Sequence, residues 1–188
     1  LIGRSGEGVE KECKIHMNTP AENQRWSGLM QFFHWFVVLL FAFEYGIAQI
    51  MEHKTLGMTV KTMFMLHKSV GVFLIAVVAA RIAARITTAA PVEVAGPAWQ
   101  QSAARLTHLA LYGVLLMIPI TGYVMSVAGG KELLWFGQWP VPNVVGVDLA
   151  LKKLAKQGHF FFVDVSIWLI AAHVGAVFFH RFVHGENI

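Results

Sequence analysis

Four stretches of this chain, residues 27–50, 63–86, 106–128 and 157–182, are each long and apolar enough to cross a lipid bilayer. The hydrocarbon core is about 30 Å thick, so a spanning helix needs about 20 apolar residues. Inside it, backbone N–H and C=O groups find partners only within a helix or a closed barrel. The composition agrees: 56% of the residues are hydrophobic, 14% are charged, and mean hydropathy is +0.56. These values exclude an ordinary soluble domain. The expected fold is all-α, an integral membrane four-helix bundle.

The rest of the chain divides around these spans. Residues 1–25 form a polar N-terminal tail, 26–184 the four-span domain and 185–188 a short C-terminal tail. Residues 1–16 have no hydrophobic period, and Met17 is the expected native start. The single cysteine, Cys13, excludes a disulfide within the chain, and no C-x-x-C-H haem-attachment motif is present. The second connection, 87–104, contains Pro91, Gly96 and Pro97 and reads as a turn. The third, 129–156, opens on Gly129-Gly130 and carries Trp135, Trp139, Pro140 and Pro142. Its tryptophans fit an interfacial belt, and its last segment, DLALKKLAKQ, reads as a short interfacial amphipathic helix.

Four spans place both chain ends on one face, here called the terminal side. The opposite face is the loop side. Eight Lys and Arg fall on the terminal side and seven on the loop side. Without residues 1–16 the balance is five against seven, so the positive-inside rule does not orient the chain.

Ionisable side chains at membrane depth are costly and mark function by default. His34 lies early in the first span and His173 late in the fourth, both towards the terminal side. His67 opens the second span and His159 the fourth, both towards the loop side. His159 and His173 are 14 residues apart. In a helix that spacing returns to within about 40° of one face and separates the two by about 21 Å. Depth therefore pairs His34 with His173 and His67 with His159. Two bis-histidine sites at two depths are what two b-type haems need, and a four-helix bundle gathers such ligands in its core. Single intramembrane histidines also hydrogen-bond neighbouring helices. Tetrahedral zinc usually recruits Cys or carboxylate as well, so two imidazoles per level suit haem better. Gly71, Ala171, Ala172 and Gly175 would leave room for a flat macrocycle, although they also suit plain helix packing.

These features resemble the bacterial cytochrome b561 family: FFHW around His34, LHKSVG from Leu66 to Gly71, the Arg81-x-x-x-Arg85 pair, HLALYGVLLMIPITGYVM from His108, and the His159/His173 spacing. The resemblance runs from about Arg25 to His184. It implies two haem b groups on the four histidines, a bacterial inner membrane location and a cytoplasmic terminal side. The superoxide-oxidising type within the family passes the electron of superoxide through the haems to ubiquinone. By that resemblance Lys152, Lys153 and Lys156, just before His159, would steer the superoxide anion; a solvated or lipid-facing amphipathic face is the bland reading of the same lysines. Lys68, beside His67, could assist. Arg81 and Arg85 would pair haem propionates or else serve as snorkelling anchors. His108 aligns with a family histidine and would contact quinone or a propionate.

Other readings of the same sequence are a membrane-anchor subunit exchanging electrons between quinone and a periplasmic redox enzyme, and a non-redox haem- or metal-binding membrane protein. Glu44 and Asp164 are intramembrane carboxylates that could each carry a proton or bond a neighbouring helix. Pro119 reads as a kink with locally satisfied carbonyls.

Overall fold

The computed structural model describes residues 26–53, 60–88 and 97–184. They form α1 (Gly28–His53), α2 (Val60–Thr87), α3 (Ala98–Val127), a small hairpin of β1 (Leu134–Trp135) and β2 (Trp139–Pro140), and α4 (Leu149–Phe179), which ends in a π-helical turn, His180–His184. All four α-helices are long and apolar enough to cross a membrane, and the fold is an all-α membrane four-helix bundle. The tails 1–25 and 185–188, with Cys13 and the expected start at Met17, lie outside the described residues, as do Pro91 and Gly96.

The helices pack in chain order, α1 on α2, α2 on α3 and α3 on α4. Val37 of α1 with Leu74, Val77 and Val78 of α2 forms the buried core, and Leu115 and Leu116 of α3 pack against it. The α3–α4 seam instead uses small residues. A Cβ on Gly158 would sit 3.5 Å from Thr121 Cγ2, and Ala155 and Ser166 are buried. Close backbone approach of this kind is how helices associate where lipid is as apolar as leucine. Among the described residues, α4 makes no close backbone approach to α1 or α2. Side chains bridge that space.

The fourth span corrects one expectation. DLALKKLAKQ is not a separate interfacial helix; it forms the cap and opening turns of α4. Asp148 is the cap, its carboxylate accepting from the N–H groups of Ala150 (2.8 Å) and Leu151 (3.0 Å). From Leu149 to Gln157 the chain has only good helix formers, and Gly158 is held against α3, so nothing breaks the helix before the apolar segment. The 31 residues of α4 reach about 46 Å, well beyond the hydrocarbon core. The third helix also starts before the apolar window 106–128: α3 begins at Ala98, which places His108 about 15 Å into the helix.

The third connection is tied down rather than loose. Phe136 (φ 50°) and Gly137 (φ 72°) adopt left-handed backbone at the hairpin tip. A Cβ on residue 137 would also press to 3.1 Å from Met65 Sδ, so glycine suits both the backbone and the close approach there. Trp135 was expected in an interface belt. Its indole N–H instead donates inward to the Ser69 carbonyl (3.0 Å), and the Phe136 N–H donates to Ser69 Oγ (2.8 Å). Trp139 is exposed. Further along, Tyr123 Oη donates to the Pro142 carbonyl (2.5 Å) and accepts from the Val144 N–H (3.2 Å). The hairpin is thus pinned to α2 two residues from His67. Ser69 is fully buried, so Ser69→Ala removes the Phe136 bond with little change of volume. Losing one partner of such a bond costs about 1–3 kcal/mol. Amide exchange at residues 134–140 should accelerate correspondingly, with α4 unchanged.

Candidate functional site

On the loop side, His67 in the second turn of α2 faces His159 in the third turn of α4. Their ring centroids are 6.2 Å apart and the rings nearly perpendicular, at 88°. His159 is 8% exposed, and its Nδ1 lies 2.8 Å from the Ile118 carbonyl of α3. A carbonyl only accepts, so Nδ1 carries the hydrogen and Nε2 keeps its lone pair. Pro119 lacks the N–H that would bond the Leu115 carbonyl of α3; the Ile118 carbonyl is a shared acceptor, taking the Thr121 hydroxyl (2.9 Å) as well as His159, while that hydroxyl also meets the Met117 carbonyl (2.6 Å). Gly122 leaves space for the imidazole: a Cβ there would lie 3.2 Å from His159 Cε1 and 3.3 Å from Nδ1.

His67 has a different backing. Its Nδ1 is 2.6 Å from Oε2 of Glu44, an α1 carboxylate only 8% exposed. The approach is short but off the axis of a good hydrogen bond, and Glu44 Oε1 is buried with no hydrogen-bond partner.

On the terminal side, His34 of α1 and His173 of α4 have centroids 6.4 Å apart at 69°. His108 of α3 adds a third ring, 5.4 Å from His173. Arg81 reaches into this group, with Nη2 3.2 Å from His34 Nδ1, Nη1 3.4 Å from the Met30 carbonyl, and the guanidinium 5.7 Å from the Tyr112 ring centre. Guanidinium only donates, so His34 Nδ1 is the acceptor here. Arg85, one turn on, stacks instead over Trp26 at 4.9 Å. The two arginines share a helix side but not a site.

The histidine pairs therefore bring α4 side chains against α1 and α2. Two imidazoles on opposite sides of one metal, with bonds of about 2 Å as on zinc, have ring centres about 6 Å apart, close to both observed spacings. Among the described residues, no three His, Cys, Asp or Glu side chains converge as a cation cage would require. A Cβ on Gly71, one turn after His67 on the same helix side, would meet nothing within 4 Å. His67 with His159, and His34 with His173, are the residues that would hold a haem b at each level, and tetrahedral zinc would call for further ligands at either pair. On the loop side the Ile118 carbonyl engages His159 Nδ1 and leaves its Nε2 as the donor, whereas His67 Nδ1 stands 2.6 Å from Glu44 Oε2 without an aligned hydrogen bond. On the terminal side Arg81 must first release His34.

The lysines divide by helix phase. Lys152 lies within about 20° of the His159 direction and Lys156 within about 60°, whereas Lys153 points about 120° away. The Lys152 stem packs on Gly129, 3.2 Å from where a Cβ would stand. Lys156 sits 6.0 Å over the Phe160 ring, and Lys153 is exposed. Lys68 is partly buried beside His67, within electrostatic range of Lys131. Asp164 is exposed on α4, apart from either pair.

Sequence reading missed Ser69, the Ile118 carbonyl and Gly122, and gave Glu44 no partner. Glu44 carried a signal, a carboxylate in an apolar window. Gly122, a glycine inside a span, was the signal for the space beside His159; nothing in the sequence singled out the Ile118 carbonyl.

The prokaryotic cytochrome b561 family matches residues 25–188. The chain is 29% identical over 165 residues to cytochrome b561 homolog 1 of Escherichia coli (strain K12), covering 87% of this chain and 93% of that protein. It is 32% identical over 127 residues to cytochrome b561 homolog 2 of the same organism, covering 65% of each. With a family match across all four spans and paired histidines at two depths, the chain belongs to the prokaryotic cytochrome b561 family of membrane electron-transfer proteins carrying haem b.

Proposed function

We propose that this chain is a superoxide:ubiquinone oxidoreductase of the bacterial inner membrane, with both termini cytoplasmic and the hairpin side periplasmic. His67 and His159 hold one haem b near the loop face, and His34 and His173 hold a second near the terminal face. The observation that carries this reading is the pair of histidine couples, each about 6 Å between ring centres, at the two ends of α4. Haem b supplies one-electron chemistry at each site. Overall, two superoxide anions yield two dioxygen molecules and two electrons, and one ubiquinone takes those electrons with two protons.

The chain's residues divide the remaining work. The Ile118 carbonyl fixes the His159 tautomer and Gly122 keeps its ring in place. The hairpin, bonded to Ser69, covers the His67 end of α2, which favours a small donor over a docking protein. Lys152 and Lys156, with Lys68, present positive charge on this face, while Lys153 adds only to the long-range field. At the other end, Arg81 is placed to move from His34 Nδ1 to a propionate, since a guanidinium pairs a carboxylate bidentately. Between α2 and α3 an open groove of about 360 Å³ is lined by Ile82, Arg85, Ile86, Leu109, Tyr112 and Leu116. Its walls are almost wholly apolar and suit an isoprenoid tail.

The test is haem b per purified chain by pyridine haemochrome, followed by reduction under a superoxide flux and reoxidation by a short-chain ubiquinone. Two haems per chain, reduced by superoxide and reoxidised by quinone, are expected. Haems that ignore superoxide but accept electrons from a copurifying redox protein would support the anchor-subunit reading instead. Steering makes a further prediction. Field focusing raises anion on-rates by about 10–10³-fold and is lost with salt, so Lys152→Glu should slow reduction by superoxide about tenfold at low ionic strength. The deficit should shrink at high salt, with the haem spectrum unchanged.

A further inference from the structure

The two histidine pairs have electrostatic surroundings of opposite sign. Behind His67 stands the buried carboxylate of Glu44, 2.6 Å from Nδ1, whose second oxygen has no hydrogen-bond partner. Against His34 stands the guanidinium of Arg81, 3.2 Å from Nδ1. A buried carboxylate in an apolar span is costly unless something compensates it, and the group it meets is one edge of one imidazole. Plain interhelical packing does not explain the choice, since a hydroxyl would bridge α1 to α2 at lower cost.

We infer that Glu44 is a positioning residue for His67: its carboxylate takes the Nδ1 hydrogen, aims Nε2 into the space facing α4, and lowers the reduction potential of the loop-side haem relative to the terminal-side haem. This rests on the proposed assignment of His67 and His159 as iron ligands. The chemistry follows from the imidazole itself. A neutral histidine bonded to iron through Nε2 must carry its hydrogen on Nδ1, and the nearby acceptor is Glu44 Oε2. A carboxylate behind a metal-bound histidine fixes ring orientation and raises ligand basicity. A more basic, more anionic ligand stabilises the oxidised iron. His159 donates to a neutral carbonyl instead, and among the described residues no carboxylate stands against His34 or His173, so this push acts at one ligand of the four. The resulting bias favours electron movement from the loop side to the terminal side, the direction that the proposed reaction requires.

Redox titration of the purified, haem-loaded full chain tests this, with the two spectral components assigned beforehand through His67→Ala and His34→Ala. In the wild type the component lost in His67→Ala should have the lower potential. Glu44→Gln retains an acceptor oxygen but not the charge. It should shift that component's oxidation equilibrium at least tenfold towards the reduced form, or 59 mV for one electron, leaving the other component in place. Glu44→Asp, which restores the charge at a longer reach, should lie between wild type and Glu44→Gln. If Glu44→Gln does not hold the loop-side haem, Glu44→Asp alone carries the test, by an upward shift of the same component. Two intact components with an unmoved loop-side potential in either haem-loaded variant would overturn the role of Glu44 alone. A wild type without two components, or His67→Ala retaining both, would overturn the ligand assignment and this inference with it.

Discussion

His159→Ala should lower haem b from two per chain to one and remove the same spectral component as His67→Ala. His173→Ala should remove the other component, as His34→Ala does. The expectation rests on where the rings stand. His67 and His159 lie 6.2 Å apart on α2 and α4, and His34 and His173 lie 6.4 Å apart on α1 and α4. Along α4 the two levels are about 21 Å apart, so no ligand at one level can serve the other. Truncating one ligand leaves its partner facing a methyl group, and a single imidazole from one helix cannot tie α4 to the helix opposite. His159 carries the larger effect because it is the more buried and already holds the required tautomer through Ile118. Quinone reduction by a donor on the loop face should fall by more than a hundredfold, because about 20 Å of bilayer would then lack its first one-electron carrier. The measurement is haem stoichiometry with reduced-minus-oxidised spectra of all four variants. A shared component for His34→Ala and His67→Ala would show the pairing to be wrong.

The second large effect comes from a residue with no side chain. Gly122→Val should weaken haem binding at the loop-side pair by about 10–100-fold, the usual cost of disturbing what orients a metal ligand. It should spare the terminal-side pair. Even the Cβ of alanine would stand 3.2–3.3 Å from two atoms of the His159 ring, and valine adds two methyl groups to that contact. The ring is boxed in by its bond to Ile118 and cannot retreat without breaking it. Overpacking of this kind costs about 1–3 kcal/mol, and here the strain falls on a side chain whose direction decides its use. Gly113→Val is the control, because a Cβ on Gly113 meets nothing within 4 Å. Haem titration into both variants checks this; equal retention of the loop-side component in Gly122→Val would remove Gly122 from the account.

The hydropathy of the chain was enough to read four spans and an all-α bundle. Lipid offers backbone groups no alternative partner, so a long apolar run has one outcome. The depths of His34, His67, His159 and His173 were legible for the same reason, since position along a spanning helix is position across the bilayer. Helix ends were less legible. Nothing in hydropathy said that LALKKLAKQ continues into α4 or that α3 begins at Ala98, because polar turns that extend beyond the lipid obey propensity and capping rather than burial.

What required the tertiary structure was everything that depends on angle about a helix axis and on contact between helices. Sequence placed Glu44, Arg81 and His108 in spans, but only packing put the carboxylate behind His67, the guanidinium against His34 and the third imidazole beside His173. Ser69 and Gly122 look like ordinary small residues until the hairpin and the His159 ring close on them. An apolar solvent selects for length and hydrophobicity and is indifferent to which face of a helix meets which neighbour. That choice is made by small residues, side-chain hydrogen bonds and shape, which act only once the helices are side by side.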